Sequence, residues 1–225
     1  MRCRARLSIA FLTAALVLTT SPAVPKSVEQ GLLSALRPAH TIVADISGDP
    51  VMPRRHFRVR NPKRIGPEEA AAIYGGLRDE MAAGYVMSGR RVYEGWTRYN
   101  RAPYLSATHG QRYVNNYANQ RARAYGRFEQ AGRFPVGSLL AKDSFAITRD
   151  GEIHAGPLFI MEKMAEGFNY VSGDWRYTMI MPDGSVFGTT NGDNAGAVEY
   201  CIGCHLAVER QDHLYFPPPE VRVDF

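Results

Sequence analysis

Apolar residues recur at every fourth position over one stretch in the first half of the chain. Ile73, Leu77, Met81 and Tyr85 follow this spacing, and Pro67 suits the first turn of a helix. Two glutamates directly after the proline favour the positively polarised start of a helix. The pattern therefore predicts an amphipathic helix that begins at Pro67 and packs its apolar stripe against a core.

A second stripe of large side chains predicts another helix over residues 111–130. Tyr113, Tyr117, Ala124 and Phe128 fall close to one helical face. The simplest interpretation of both stripes is packing against the interior of the domain.

After residue 137 the hydrophobic period changes from helical to two, which is typical of β-strands. The first strand of this region alternates two sets of side chains, Leu139, Ala141, Phe145 and Ile147 against Leu140, Lys142, Ser144 and Ala146. Further strands are predicted at residues 157–164, 175–181 and 186–190, separated by turn sequences. Helices followed by an antiparallel meander predict an α+β fold, an antiparallel β-sheet with flanking helices.

The first 23 residues have the organisation of a secretory signal peptide. Three arginines precede an apolar run, and Ser21-Pro22-Ala23 is a small-residue cleavage site. The apolar run is too short to span a bilayer comfortably, so we expect cleavage after Ala23, a periplasmic location and no membrane span in the mature chain. The alternative interpretation is an uncleaved anchor. Residues 24–62 are interpreted as a flexible leader and residues 63–225 as one domain.

The net charge does not indicate a nucleic-acid partner. The formal charge of +5 falls to +2 after cleavage, because the signal peptide contains three arginines and no acidic residue. The dense basic cluster at residues 54–60 is interpreted as part of a solvated linker, and we expect no binding to nucleic acid.

The motif Cys201-Ile202-Gly203-Cys204-His205 carries the strongest chemical signal in the sequence. C-x-x-C-H is the attachment signature of a c-type haem, in which both thiols bond the macrocycle and the imidazole binds the iron. On a helix, Cys201 and His205 share a face, so one short segment holds both the macrocycle edge and the metal. The only other cysteine, Cys3, lies in the predicted signal peptide.

Other uses of C-x-x-C agree less well with the rest of the chain. A structural zinc site needs four protein ligands, and the sequence has no second Cys or His pair at similar spacing. A thioredoxin-like dithiol normally lies early in its domain, whereas only 20 residues follow His205. A bare disulfide of this spacing contributes little loop-closure entropy. The motif therefore predicts a haem-attachment helix near the C-terminus, with His205 as the iron ligand.

Further motifs precede and follow C-x-x-C-H in a defined order. They are Trp96, Tyr104-Leu105-Ser106, the run from His109 to Tyr117, the run from Phe134 to Asp143, and Asp212 after the haem motif. Together, over roughly residues 68–225, they resemble the cytochrome P460 family. A strand lysine after an F-x-x-G turn makes this combination more specific than C-x-x-C-H alone.

The resemblance implies one covalently attached haem c, five-coordinate with an open distal site, on an antiparallel sheet with flanking helices. In the P460 members a strand lysine is bonded to a meso carbon of the porphyrin, and the matching residue is Lys142. Those members oxidise hydroxylamine, with nitrous oxide or nitric oxide as products. The cytochrome c′-beta relatives lack the bond and bind gases such as NO and CO.

Lys142 is one of only four lysines in the expected mature chain. The strand alternation predicts that its side chain and that of Ala141 point to opposite faces of the sheet. A lysine in a half-buried strand is costly unless it is paired, deprotonated or covalently used. The alternative interpretation is an edge-strand lysine that deters aggregation. Lys163 is interpreted as a surface residue.

Turnover also needs a group that takes protons from the substrate. The family's distal carboxylate position falls on a glycine in this chain, so Asp193 is the nearest candidate and Glu199 the second. Arg112 and Arg176 are candidate partners of the haem propionates, because guanidinium groups bind carboxylates through two parallel hydrogen bonds. A surface role is the alternative for either arginine. His109 is either a distal histidine of the haem site or a structural histidine, and the structural role is preferred.

The sequence leaves three functions open. Oxidation of hydroxylamine or a similar nitrogen compound is preferred over gas binding without turnover, and a six-coordinate electron carrier ranks third. Candidate sixth ligands for a carrier are methionines in predicted strands, Met161, Met164, Met179 and Met181, although their spacing also fits core packing. Expected partners are a small-molecule substrate or gas, a soluble redox protein such as another cytochrome c, and a second copy of the chain in a homodimer.

Overall fold

The computed structural model describes residues 57–87 and 90–224. The predicted signal peptide and residues 24–56 of the predicted leader lie outside these described residues. Within the described part of the chain, none of the helices has the length and apolar character needed to cross a membrane.

Two α-helices and ten β-strands are present in the described residues. The helices are α1 (Pro67–Gly84) and α2 (Glu199–Leu206). The strands are β1 (Val86–Met87), β2 (Arg90–Arg91), β3 (Thr97–Arg98), β4 (Tyr104–Ser106), β5 (Arg112–Ala118), β6 (Leu139–Ile147), β7 (Ile153–Ala155), β8 (Leu158–Lys163), β9 (Trp175–Ile180) and β10 (Val186–Thr189). Short 3-10 segments cover Gln120–Gln130, Tyr170–Ser172, Ala195–Val198, Glu209–Gln211 and Pro219–Val221.

Eight of these strands form one antiparallel sheet. The strand order is β10-β9-β8-β6-β5-β3, with β4 paired to β5 and β7 paired to β6. Strands β1 and β2 pair with each other outside this sheet. The structure therefore confirms the predicted α+β fold, an antiparallel sheet with flanking helices and a helix near the C-terminus.

Helix α1 covers one face of the sheet. It begins at Pro67 as predicted, and Ala70, Tyr74 and Met81 are its buried residues. They pack against side chains such as Phe145, while Ile73 and Leu77 of the predicted stripe lie at the border of this cluster. The helix was thus predicted correctly, and Met81 and Tyr85 of the predicted stripe are buried, but in its first half Ala70 and Tyr74 are buried in place of Ile73 and Leu77.

The opposite face of the sheet packs against helix α2. Successive side chains of a strand point to opposite sides, so Leu140 and Lys142 lie on this second face while Ala141 lies on the first. Leu140, Tyr177 and Met179 form a second apolar cluster with Cys201 of α2. The sheet therefore separates a helix-covered core from a core that contains the C-x-x-C-H motif.

The helix predicted over residues 111–130 is wrong. The first part of this range forms β5, in which all seven residues are buried, and the second part is a 3-10 segment interrupted at Phe128. Tyr113 and Tyr117 are four residues apart, and four residues return to the same face in both a strand and a helix. Their spacing therefore does not distinguish a helix from a strand. This segment forms a strand because its backbone pairs with β6.

Candidate functional site

A cavity of about 330 Å³ lies between the second face of the sheet and helix α2. This volume is in the range of small-molecule pockets, and most of the wall is apolar or aromatic. The sheet contributes Asn116, Leu140, Lys142, Phe159, Met161, Tyr177 and Met179 to the wall. The opposite wall contains Cys201, Cys204, His205, Leu214 and Tyr215.

His205 is held in one orientation by its surroundings. Its Nδ1 donates a hydrogen bond of 2.6 Å to the carbonyl oxygen of His213. The rings of Tyr177 and Tyr215 pack against the imidazole at centroid distances of 5.1 Å and 5.3 Å. Because Nδ1 carries the proton, Nε2 carries the lone pair, which is the arrangement of a metal-binding histidine with a carbonyl partner.

The two cysteines of the motif both line the cavity and do not form a disulfide. Cys201 is buried, whereas Cys204 is exposed. Burial raises the pKa of the Cys201 thiol to about 12, with a smaller contribution from Cys204. A redox-active dithiol needs a lowered thiol pKa, so this environment argues against the thioredoxin-like alternative.

Lys142 lies in the middle of the sheet and faces the cavity. It is paired across the strands with Asn116 of β5 and with Phe159 of β8. Strand β6 is therefore a central strand, and the edge-strand interpretation of Lys142 is wrong.

The environment of the Lys142 amine favours its neutral form. The side chain is half-buried by surface area, because part of its remaining surface faces the cavity. In the described part of the chain, no carboxylate pairs with it, and burial lowers its pKa to about 8. At pH 7 about one-tenth of such amines are neutral, compared with well under one-hundredth of ordinary lysines.

Asn116, the cross-strand neighbour of Lys142 on β5, is hydrogen-bonded to a set of aromatic side chains. Its amide nitrogen donates to the Tyr125 hydroxyl at 2.7 Å, and its amide oxygen accepts from the Tyr104 hydroxyl at 2.9 Å. Tyr125 in turn donates to the carbonyl oxygen of Tyr215 at 2.7 Å. These bonds hold the cavity wall beside Lys142 and join the sheet to the segment after α2.

The structure does not bring the predicted carboxylates to the cavity. Asp193 is exposed in the turn after β10, where its carbonyl oxygen accepts from the backbone of Thr189 at 3.0 Å. Glu199 is exposed at the start of α2. Among the described residues, the cavity wall contains no aspartate or glutamate.

The two predicted propionate partners also lie away from the cavity wall. Arg176 is hydrogen-bonded to Glu162, its direct neighbour across β8 and β9, on the sheet face opposite Lys142. Arg112 is buried, and its Nη2 donates to the carbonyl oxygen of Phe57 at 2.8 Å. Burial lowers the pKa of Arg112 to about 10.

The structure places His109 in the cavity wall, which fits the distal alternative better than the preferred structural role. It lines the cavity, and its ring packs edge-on against Phe159 at a centroid distance of 5.0 Å. Its Nδ1 is 3.0 Å from the hydroxyl of Ser106. Only the pairing of β4 with β5 and the path of the following turn bring this residue to the wall, so no local sequence pattern reveals it.

Two of the four candidate methionine ligands line the cavity. Met161 and Met179 lie on its sheet wall, whereas Met164 and Met181 are not part of the wall. The hydroxyl of Tyr200 is 3.8 Å from the Met179 sulfur, to which it donates.

Lys163 is not a surface residue. Its amine is 2.6 Å from the Asp212 carboxylate, and the two side chains are only 12% and 5% exposed. The surface interpretation was wrong because the loop after α2 folds back over the end of β8, which the sequence of β8 alone does not indicate.

The family model for cytochrome P460 matches residues 91–216, which is more than half of the chain. The chain belongs to the cytochrome P460 family. A comparison with curated proteins found no match. The matched region of this cytochrome P460 family member contains β3 to β10 and α2, and therefore all strands and the helix that surround the cavity.

Membership of the family makes this chain a haem protein, and the residues of the cavity fit that cofactor. A mostly apolar wall suits the macrocycle, and two cysteines free of disulfides lie on the same helix as a histidine whose Nδ1 is already bonded. The site therefore contains two thiols, an imidazole and, on the facing sheet, an amine.

Proposed function

We propose that this cytochrome P460 family member is an exported, periplasmic c-type haem protein that oxidises hydroxylamine or a similar small nitrogen compound. Cys201 and Cys204 attach the haem by thioether bonds, and His205 binds the iron. The observation that carries the proposal is the position of Lys142, on a central strand and in the same cavity as the C-x-x-C-H motif. A plain haem-binding site has no need of an unpaired lysine there.

We propose that the Lys142 amine is bonded to a meso carbon of the porphyrin. The new N–C bond replaces one N–H bond of the amine and the meso C–H bond, and the two protons and two electrons released go to a two-electron oxidant of the peroxide class. Only a neutral amine has the lone pair that such a bond requires, and the lowered pKa of Lys142 supports its availability. A crosslink of this kind distorts the macrocycle and changes its reactivity. Phe159 and Asn116 on the neighbouring strands fix the position of the strand lysine.

A haem held by Cys201, Cys204 and His205 would supply the redox-active iron that accepts the electrons of the nitrogen substrate. Oxidation of hydroxylamine to nitric oxide releases its hydrogens as protons and the same number of electrons. We propose that His109 receives protons in the cavity, because imidazole is the commonest general base and no carboxylate of the described residues lines the wall. Cys204 is exposed at the edge of the cavity. From this edge the electrons pass to a soluble acceptor such as another cytochrome c.

Gas binding without turnover is the second candidate function. The observation that favours it is the cavity wall itself, which lacks an aspartate or glutamate among the described residues. A haem held in such a cavity would supply an iron that binds NO or CO, while the wall offers few groups that could remove protons from a bound substrate.

Purified holoprotein tests these proposals. We expect a five-coordinate, high-spin haem, an altered spectrum that persists after denaturation, and turnover of hydroxylamine with an artificial electron acceptor. Lys142→Met should restore an ordinary haem c spectrum, whereas Lys63→Met, at an exposed lysine, should not. A low-spin, six-coordinate haem would contradict an open site and favour Met161 or Met179 as a ligand. Binding of NO or CO without turnover of hydroxylamine would contradict the oxidation proposal and support the second candidate function.

A further inference from the structure

The carbonyl group that holds His205 belongs to a backbone segment in an uncommon conformation. Asp212 and His213 both have positive φ angles, 51° and 63°. Residues other than glycine in this region typically cost about 1–3 kcal/mol and persist where surrounding contacts impose them. Two successive residues of this kind therefore indicate that strong contacts hold the segment.

Asp212 supplies those contacts. Its Oδ2 accepts a hydrogen bond of 2.8 Å from the backbone N–H of Phe134, and its carbonyl oxygen accepts one of 2.8 Å from Nε1 of Trp175. Its Oδ1 accepts from the amine of Lys163 at 2.6 Å. Asp212 is thus held at three points by three different segments of the chain.

Lys163 is as well fixed as the aspartate. Its amine also donates to the carbonyl oxygen of Gly173 at 2.9 Å and lies 5.0 Å from the centre of the Trp175 ring. Lys163 is the last residue of β8 and is paired with Trp175, the first residue of β9. The ion pair therefore connects the end of the sheet to the loop that carries His213.

A buried ion pair is not in itself a large source of stability. Removing two charges from water costs free energy that their attraction roughly offsets, so replacement by apolar residues is often neutral. Its effect at this position is geometric, because the residue after Asp212 is the one whose carbonyl oxygen faces Nδ1 of His205.

We propose that Lys163 and Asp212 are positioning residues for the axial histidine. They hold the loop so that the His213 carbonyl oxygen accepts the Nδ1 proton of His205. The inference rests on the proposed function, because it takes His205 as the iron ligand. A hydrogen bond from Nδ1, the ring nitrogen that does not bind the iron, fixes the orientation of the imidazole and increases the basicity of Nε2 toward the metal. Loosening the loop therefore weakens the iron–histidine bond and raises the reduction potential of the haem.

The test compares four variants in the holoprotein, and Lys163→Arg is the one that keeps the charge of Lys163. Lys163→Met keeps the side-chain length over Trp175 and removes the charge, and Asp212→Asn keeps the shape of the side chain. Glu162→Gln is the matched control, because it removes a charge from the neighbouring ion pair on the other face of the same strand. The readouts are the iron–histidine stretching frequency of the ferrous protein and the reduction potential.

We expect Lys163→Met and Asp212→Asn to lower the stretching frequency and raise the potential, while Glu162→Gln leaves both at the wild-type values. Lys163→Arg keeps the charge and should lie closer to the wild type than Lys163→Met does. If Lys163→Met does not fold, Asp212→Asn and Lys163→Arg carry the comparison. Wild-type values in every folded variant would overturn the inference.

The wild-type protein separates this outcome from failure of the proposed function. If His205→Ala leaves the iron–histidine band in place, His205 is not the iron ligand. If the wild type gives no such band, its ferrous haem is not the five-coordinate, histidine-bound species that the proposed function requires. The proposed function is then wrong in this respect, whatever the Lys163 and Asp212 variants show.

Discussion

Lys142 and Asp143 are neighbours in the chain, but the amine faces the cavity and the carboxylate lies on the opposite face of the sheet. The Asp143 carboxylate accepts hydrogen bonds from the hydroxyls of Tyr74 and Tyr93, at 2.5 Å and 3.0 Å, and from the side chain of Asn115 at 3.0 Å. Lys142 has no such partners among the described residues. One strand therefore presents a satisfied charge to the α1 side and an unpaired amine to the cavity.

In the haem-free chain, Lys142→Met is expected to raise the free energy of unfolding at pH 7 by up to about 3 kcal/mol. The folded-state pKa of about 8 lies below the ordinary value of 10.5, so the protonated amine opposes folding. The stabilisation by Lys142→Met is therefore complete below about pH 8. It declines as the pH rises toward 10.5, because Lys142 of the unfolded wild-type chain then also loses its proton.

Urea unfolding of both proteins at pH 7 and pH 10 measures this difference. Lys63→Met is the control, because half of the Lys63 side chain is exposed. An equal effect of the two substitutions at pH 7 would show that burial does not disfavour the Lys142 charge.

Tyr74→Phe is expected to cost about 1.5–3 kcal/mol at neutral pH, because it removes a hydrogen bond to a buried carboxylate. Burial raises the pKa of Asp143, and the bond from Tyr74 opposes this rise. Removing the bond raises the pKa further, so the cost should be smaller at acidic pH and grow as the pH rises.

Tyr113→Phe is the matched control for this substitution. Its hydroxyl donates to the neutral carbonyl oxygen of Lys63 at 3.1 Å, and such bonds contribute roughly 0.5–1.5 kcal/mol. Urea titrations of both variants over a range of pH provide the comparison. The same pH dependence in the two variants would be incompatible with the role given to Asp143.

Two glycines of α1 should respond in opposite directions to alanine. Gly75 is exposed with open space at its Cβ position, so Gly75→Ala should stabilise the protein by roughly 0.5–1 kcal/mol. A Cβ on Gly84 would lie 2.2 Å from the carbonyl oxygen of Pro182, so Gly84→Ala should cost about 1–3 kcal/mol. Thermal unfolding measures both, and a stabilising Gly84→Ala would contradict the close approach of the helix end to the turn after β9.

Asp193→Asn should leave hydroxylamine turnover within about twofold of the wild type, because Asp193 is exposed and does not line the cavity. His109→Gln should reduce turnover on the order of 10²-fold, the typical contribution of a general base. Steady-state kinetics with an artificial acceptor measures both variants. A large loss in Asp193→Asn together with an unchanged His109→Gln would reverse the assignment of the proton acceptor.

Local pattern and chain connectivity account for the parts of this molecule that could be predicted. The strand alternation correctly predicts that Lys142 and Ala141 lie on opposite faces of the sheet, because the two-residue period is a local property of extended backbone. The helix predicted from the spacing of Tyr113 and Tyr117 is wrong, since residues four apart share a face in both a helix and a strand. Asp193 was selected as the acid nearest in sequence to the expected position, but the turn that carries it points to solvent.

The sequence by itself determined the α+β fold class, the cytochrome P460 family and the C-x-x-C-H motif, because periodicity and motif spacing are encoded within short stretches. The strand order and register decided the rest. They made β6 a central strand, placed Asn116 and Phe159 beside Lys142, and brought His109 into the cavity. They also buried Lys163 against Asp212. These contacts join residues far apart in the chain, and hydrogen bonds between strands and the burial of apolar faces select such contacts only when the whole sheet is assembled.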